Sequence, residues 1–85
     1  MNITQIINSS NLHKIIIDFF CQNSAAIDTV SGISAWVRAD KKEVKKVLIE
    51  FSKAGILDVH KVSSTIAYSY TRDPHLMSQI KKALS

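Results

Sequence analysis

The stretch Thr29–Ala54, TVSGISAWVRADKKEVKKVLIEFSKA, reads as two helices folded against each other across a tight turn. Its second half has the clearer bounds. Asp40 followed three residues later by Glu43 has the form of a capping box, the Asp40 carboxylate accepting from a first-turn N–H while Glu43 reaches back to the cap. At the far end Gly55 suits the left-handed conformation that closes a helix, and Lys53 suits the negative end of the helix dipole. Between them Val44, Val47, Leu48 and Phe51 fall within about 100° of one another on a helical wheel, an apolar stripe that needs a core to cover it. Lys42, Lys45, Lys46, Ile49 and Lys53 fall on the opposite side. Four ammonium groups on one face, with no carboxylate among them, form a row of charge suited to a phosphate backbone.

The first half repeats the pattern at shorter length. Asp28 or Thr29 can cap, and Val30, Ile33 and Val37 recur at helical spacing over residues 29–37. Arg38 and Ala39 leave room only for a sharp turn before Asp40, so the two helices cross steeply in the manner of a helix-turn-helix. Gly32 sits inside the first of them at a cost of about 1 kcal/mol against alanine, which close helix packing would offset. Trp36 suits the core margin or a protein interface better than stacking on a base.

Upstream, residues 1–10 form an extension whose Ile3, Ile6 and Ile7 are too few for an independent helix and need a partner surface. After the cap-rich NSSN of Asn8–Asn11, Leu12, Ile15, Ile16, Phe19 and Phe20 give an amphipathic helix over residues 11–22. Ala25 to Ile27 is an apolar link able to run extended and pair with a later strand. Downstream of Gly55 the period changes. ILDVHKV and TIAYSY, separated by Ser63 and Ser64, are β-branched, aromatic and alternating, a hairpin over residues 56–70 with Leu57 and Val59 on one side of their strand and Ile66, Tyr68 and Tyr70 together on the other strand. Its turn lacks Gly and Asn, which leaves the register and the tip open. Asp73–Pro74 then starts a last helix, residues 74–84, with Leu76, Met77, Ile80 and Leu84 on its apolar side.

An 85-residue chain is one small domain, and 46% hydrophobic residues allow a single core without staples. The lone Cys21, beside Phe19 and Phe20, excludes a disulfide framework, favours a reducing compartment and reads as a small buried apolar residue rather than a redox sensor. No apolar run reaches the roughly 18 residues a membrane span needs, and no leader pattern is present, so a soluble, cytoplasmic protein is expected. Eleven Lys and Arg against seven Asp and Glu give +4, a modest excess whose placement on one helix matters more than its total.

Helix, link, helix, helix, hairpin, helix is the order of a winged helix-turn-helix. The run VRADKKEVKKVLIEFSKAGIL, with its cap, its apolar positions Val44, Val47, Leu48 and Phe51 and its A-G-I-L exit into a strand, resembles that family, in particular the small bacterial transcription regulators of the MarR and ArsR kind. AYSY before a D-P helix start is similar too. The resemblance spans Leu12 to Leu84 and implies an α+β fold, mainly α with a small β-hairpin wing: a three-helix core plus a C-terminal helix. It implies further a recognition helix, Lys41 to Lys53, in the major groove and a wing, about His60 to Thr65, on the neighbouring backbone or minor groove. The expected DNA-contacting residues are therefore Arg38, Lys41, Lys42, Lys45, Lys46, Ile49, Lys53, His60 and Lys61.

The chain departs from the family where base reading is concerned. Specific readers carry Arg, Asn or Gln on the recognition helix, whereas this face has Lys around an apolar Ile49. Lysine is a flexible point charge that more often finds phosphate, so largely electrostatic affinity with modest discrimination is expected. A homodimer through the N- and C-terminal helices stands beside the reading that those helices simply cap the core. A winged-helix protein-interaction module, holding a protein partner through Ile49, Trp36 or the hairpin edge, is the competing class. RNA binding ranks lower for want of an exposed aromatic platform. Catalytic, cofactor and metal sites are not expected: His13, His60, His75 and Cys21 are scattered without metal-ligand spacing, each histidine reading as a surface or margin residue, and Gly32 and Gly55 make no phosphate loop.

Overall fold

The computed structural model describes residues 2–85. Its elements run α1 (Ile3–Ile7), α2 (Asn11–Gln22), β1 (Ile27–Thr29), α3 (Val30–Val37), α4 (Lys41–Lys53), β2 (Leu57–Val62), β3 (Thr65–Tyr70) and α5 (Pro74–Leu84). The chain is mainly helical with a winged helix-turn-helix arrangement, in the element order that its caps and apolar periods predict and with the fold that the resemblance implies.

Each helix starts where a side chain accepts the free N–H groups of its first turn. Ser10 Oγ accepts from His13, Thr29 Oγ1 from Gly32, and Asp73 Oδ1 from His75. Asp40 caps α4 alone, its carboxylate accepting from Lys42 and Glu43. The expected reciprocal half is missing there. Glu43 is drawn instead toward Lys46 one turn along, 3.8 Å away, while the complete capping box is Asn2 with Gln5 at α1. α4 closes on Gly55, whose φ of 80° lets its N–H reach Ser52 and the Ile56 N–H reach Phe51, the paired bonds of a Schellman turn.

The sheet has three strands, not two. β3 lies between β1 and β2, antiparallel to both, with Ile27 opposite Ser69, Leu57 opposite Tyr70 and Val62 opposite Thr65. The extended pairing expected of Ala25–Ile27 occurs two residues later, at Ile27–Thr29. Ser63 and Ser64 form the tip, and Ser63 takes a φ of 56° without being glycine. Simple alternation fails along the wing: Leu57, Tyr68 and Tyr70 are buried, but Val59 and Ile66, on the same sides, are 53% and 47% exposed because the outer half of the hairpin extends past the core.

The core is built by Ile7, Ile16, Ile17, Phe20, Ile33, Val44, Val47, Leu48, Phe51, Ile56 and Ile80 with the inner faces of the strands. All four apolar residues expected on the α4 stripe are in it. On α2 the buried face is rotated: Ile17 is enclosed while Ile15 is 49% exposed. α1 is held by packing against α2 and α5, with Ile7 fully buried and Ile3 and Ile6 partly so. Gly32 is not a helix-packing device. A Cβ there would overlap the Asp28 carboxylate, which accepts from the Thr29 N–H just before α3.

Candidate nucleic-acid interface

α3, the turn at Arg38–Asp40 and α4 make the helix-turn-helix. Arg38 ends α3 in the left-handed conformation, φ 56° and ψ 49°, a geometry usually given to glycine, and both its N–H and that of Ala39 donate to the Ser34 carbonyl. Its side chain is exposed next to the start of α4. Lys41, Lys42, Lys45, Lys46 and Lys53 are all exposed along α4. Because Val44, Val47, Leu48 and Phe51 fix the opposite stripe in the core, the rotation of the helix about its axis, and so the outward direction of the lysines, is set by packing.

A shallow groove of about 410 Å³ joins this helix to the wing. Lys45 lies on one side of it, Ser64, Thr65 and Ile66 on the other, and Thr29–Ser31 at the start of α3 closes its end. An ammonium, several hydroxyls and the N-terminal end of a helix thus share one concave surface with no carboxylate in its lining. The sequence reading did not single out Ser31. Its signal was the Thr29 cap, which places Ser31 in the first, outward-facing turn of α3.

Other expected contacts lie elsewhere or are altered. Ile49 is half-buried rather than standing free among the lysines, and Lys46 has the Glu43 carboxylate as a neighbour, so the face is not wholly free of acid. That pair is exposed on both sides and screens rather than cancels the charge. Lys61 is exposed on the wing, but His60 is half-buried and bonded through Nε2 to Ser69 Oγ at 2.7 Å, within the sheet.

α4 is tied to the rest of the protein by a histidine read only as a surface or margin residue. His13, 8% exposed, has Ser10 Oγ 2.7 Å from Nδ1 and Glu50 Oε2 2.9 Å from Nε2, with its ring edge-on to Phe51. In the neutral form with the proton on Nε2, the ring donates to Glu50 and accepts from Ser10. Ser–His–Glu in a line has the outline of a nucleophilic triad, yet the Ser10 oxygen already accepts from the His13 N–H as the α2 cap. The chemistry it performs is positional: it fixes the back of α4 to the start of α2. Cys21, expected to be buried, is half-buried and donates to the Tyr70 hydroxyl at 3.5 Å. Among the described residues no cluster of three metal-ligating side chains occurs, and no helix is long and apolar enough to cross a membrane.

Solved structures share this architecture. The crystal structure of a possible transcriptional regulator for arsenical resistance superposes with a TM-score of 0.72 at 15% identity, covering 96% of this chain and 80% of that one. HlyU from Vibrio cholerae gives 0.72 at 12% identity, covering 92% and 79%. Human N-acetylserotonin methyltransferase gives 0.66 at 17% identity over 82% of this chain but 20% of its own. No family model and no curated protein sequence matches the chain. The class defined by the fold is the winged helix-turn-helix. Within it the likeness is to regulators of the ArsR kind, and at these identities it is a likeness of architecture, which part of an enzyme's chain also shares.

Proposed function

We propose that the protein binds duplex DNA as a transcriptional regulator, placing α4 in the major groove with the wing against the neighbouring backbone. The observation that carries this reading is the groove in which Lys45, the wing tip and the start of α3 converge, continuous in sequence with four further exposed lysines on α4. Five lysines against two glutamates on one 13-residue helix give a local excess of positive charge that phosphate would neutralise. Arg38 and Lys61 extend the charged surface, whereas His60, bonded to Ser69 within the sheet, and the half-buried apolar Ile49 contribute little. Neither metal nor cofactor enters the reading.

Self-association through α1 and α5 belongs to the same proposal, since two copies would double the lysine contacts. Ile7 and Ile80 are already consumed in the core of one chain, which leaves Met77 and Leu84, each 39% exposed, with the half-buried Ile3 and Ile6 as apolar surface for a partner copy. Sedimentation equilibrium across the micromolar range is expected to show a mass rising toward two chains. A mass of one chain throughout would remove the dimer and leave the DNA face intact.

One observation favours the alternative, a protein-binding module. Trp36 is 71% exposed, its ring tilted against that of Phe19 at 6.1 Å between centroids. An indole so placed is a common anchor of protein interfaces. The two readings separate in one experiment: Trp36→Ala and Ile49→Ala are each expected to change affinity for duplex DNA by less than about threefold. Loss of DNA binding in Trp36→Ala, with the fold retained, would overturn the assignment of the DNA face to α4 and the wing.

A further inference from the structure

A second concave surface lies where the end of α2, the end of β3 and one face of α5 meet, and it shares no lining residue with the lysine groove. Its volume is about 700 Å³, within the roughly 300–1,000 Å³ typical of small-molecule sites. Pro74, Met77 and Leu84 make its walls apolar. Its lining includes one cationic side chain, Lys81, and no acidic side chain.

Tyr70 stands in it almost wholly enclosed, 6% exposed. The only partner its hydroxyl has among the described residues is the Cys21 thiol at 3.5 Å, a weak one that leaves the hydroxyl with bonding capacity to spare. A buried phenol with so little satisfaction is costly unless something else bonds it. Burial first, and the neighbouring thiol second, push the Tyr70 pKa upward, so the hydroxyl remains a proton donor across the physiological range. An ammonium and a phenolic donor set in apolar walls select for a negative head on an apolar body.

We propose that this depression binds a small apolar monocarboxylate, its carboxylate between the Lys81 ammonium and the Tyr70 hydroxyl and its hydrocarbon part along Met77, Leu84 and Pro74. The inference stands apart from the DNA face, but it shares Met77 and Leu84 with the surface offered above to a partner copy and so concerns the single chain; its test uses no DNA and is run at concentrations where one chain sediments.

The test is a titration of the ¹⁵N-labelled full chain with decanoate, decan-1-ol and acetate, followed by amide shifts. Decanoate is expected to saturate with shifts centred on Cys21, Ser24, Tyr70, Ser78 and Lys81, to bind at least tenfold more tightly than decan-1-ol, and acetate is expected not to saturate. Lys81→Gln, an exposed change in the last turn of α5, should bring decanoate down to the level of the alcohol with the rest of the spectrum unmoved. Ser78→Trp should block both. Equal binding of acid and alcohol, indifference to Lys81→Gln, or shifts centred on Trp36 and Phe19 would each overturn the proposal.

Discussion

The Lys42→Ala/Lys45→Ala/Lys46→Ala protein is expected to keep its fold and lose most of its affinity for duplex DNA of any sequence. All three side chains are exposed, and removing them leaves the buried stripe of α4 and its Asp40 cap untouched. If each ammonium neutralises one phosphate, its counterion term is worth roughly eightfold at 0.1 M salt, so the triple change costs up to a few hundredfold and flattens the slope of log K against log salt by about 2.7. The loss is expected to be uniform across sequences, because lysines on phosphate position the protein without reading bases. Unchanged affinity, or a loss confined to one sequence, would place the DNA contact elsewhere or give the lysines a base-reading role.

Phe51→Ala is expected to bring the protein to the edge of unfolding. The ring is fully buried, sits between α4 and α2 and meets the His13 ring edge-on at 5.6 Å centroid separation. Phenylalanine-to-alanine changes in such sites cost about 3–5 kcal/mol. A domain of this size has on the order of 4–13 kcal/mol in total. A fall in melting temperature of roughly 15–30 °C should follow, with Val59→Thr, at a 53% exposed wing position, as a control that moves it little. A drop of under about 5 °C for Phe51→Ala would contradict the packing of α4 on α2 through this ring and His13.

What the sequence disclosed of the fold was what depends on near neighbours. Asp40, Gly55 and the Asp73–Pro74 pair mark helix ends because capping acts over three or four residues, and the α4 stripe is legible because four apolar side chains within three turns admit one buried face. What it withheld depends on distant partners. Ile27–Thr29 becomes a strand because β3 offers it an edge. His13 is drawn inside because Glu50, 37 residues away, and Phe51 wait for it there. Ile15 and Ile17 trade places because α2 is rotated by what packs on its flanks, and no periodicity of α2 alone encodes that. Arg38 and Ser63 both hold positive φ without glycine, so the usual letter for a turn is absent both at the start of the lysine helix and at the wing tip. The lysine row was visible as a wheel pattern. Its meeting with the wing at Ser64 and Thr65, and with the start of α3 at Ser31, required the fold.

Binding of the unaltered chain to a random-sequence duplex, followed by fluorescence anisotropy at about 50 and about 200 mM salt, reads the lysine face most directly. Five phosphate contacts from α4 predict a slope near −4.5, and hence an affinity that falls on the order of 500-fold across that range. Folded protein that fails to bind at the lower salt, or that binds equally at both, would contradict an electrostatic DNA face on α4.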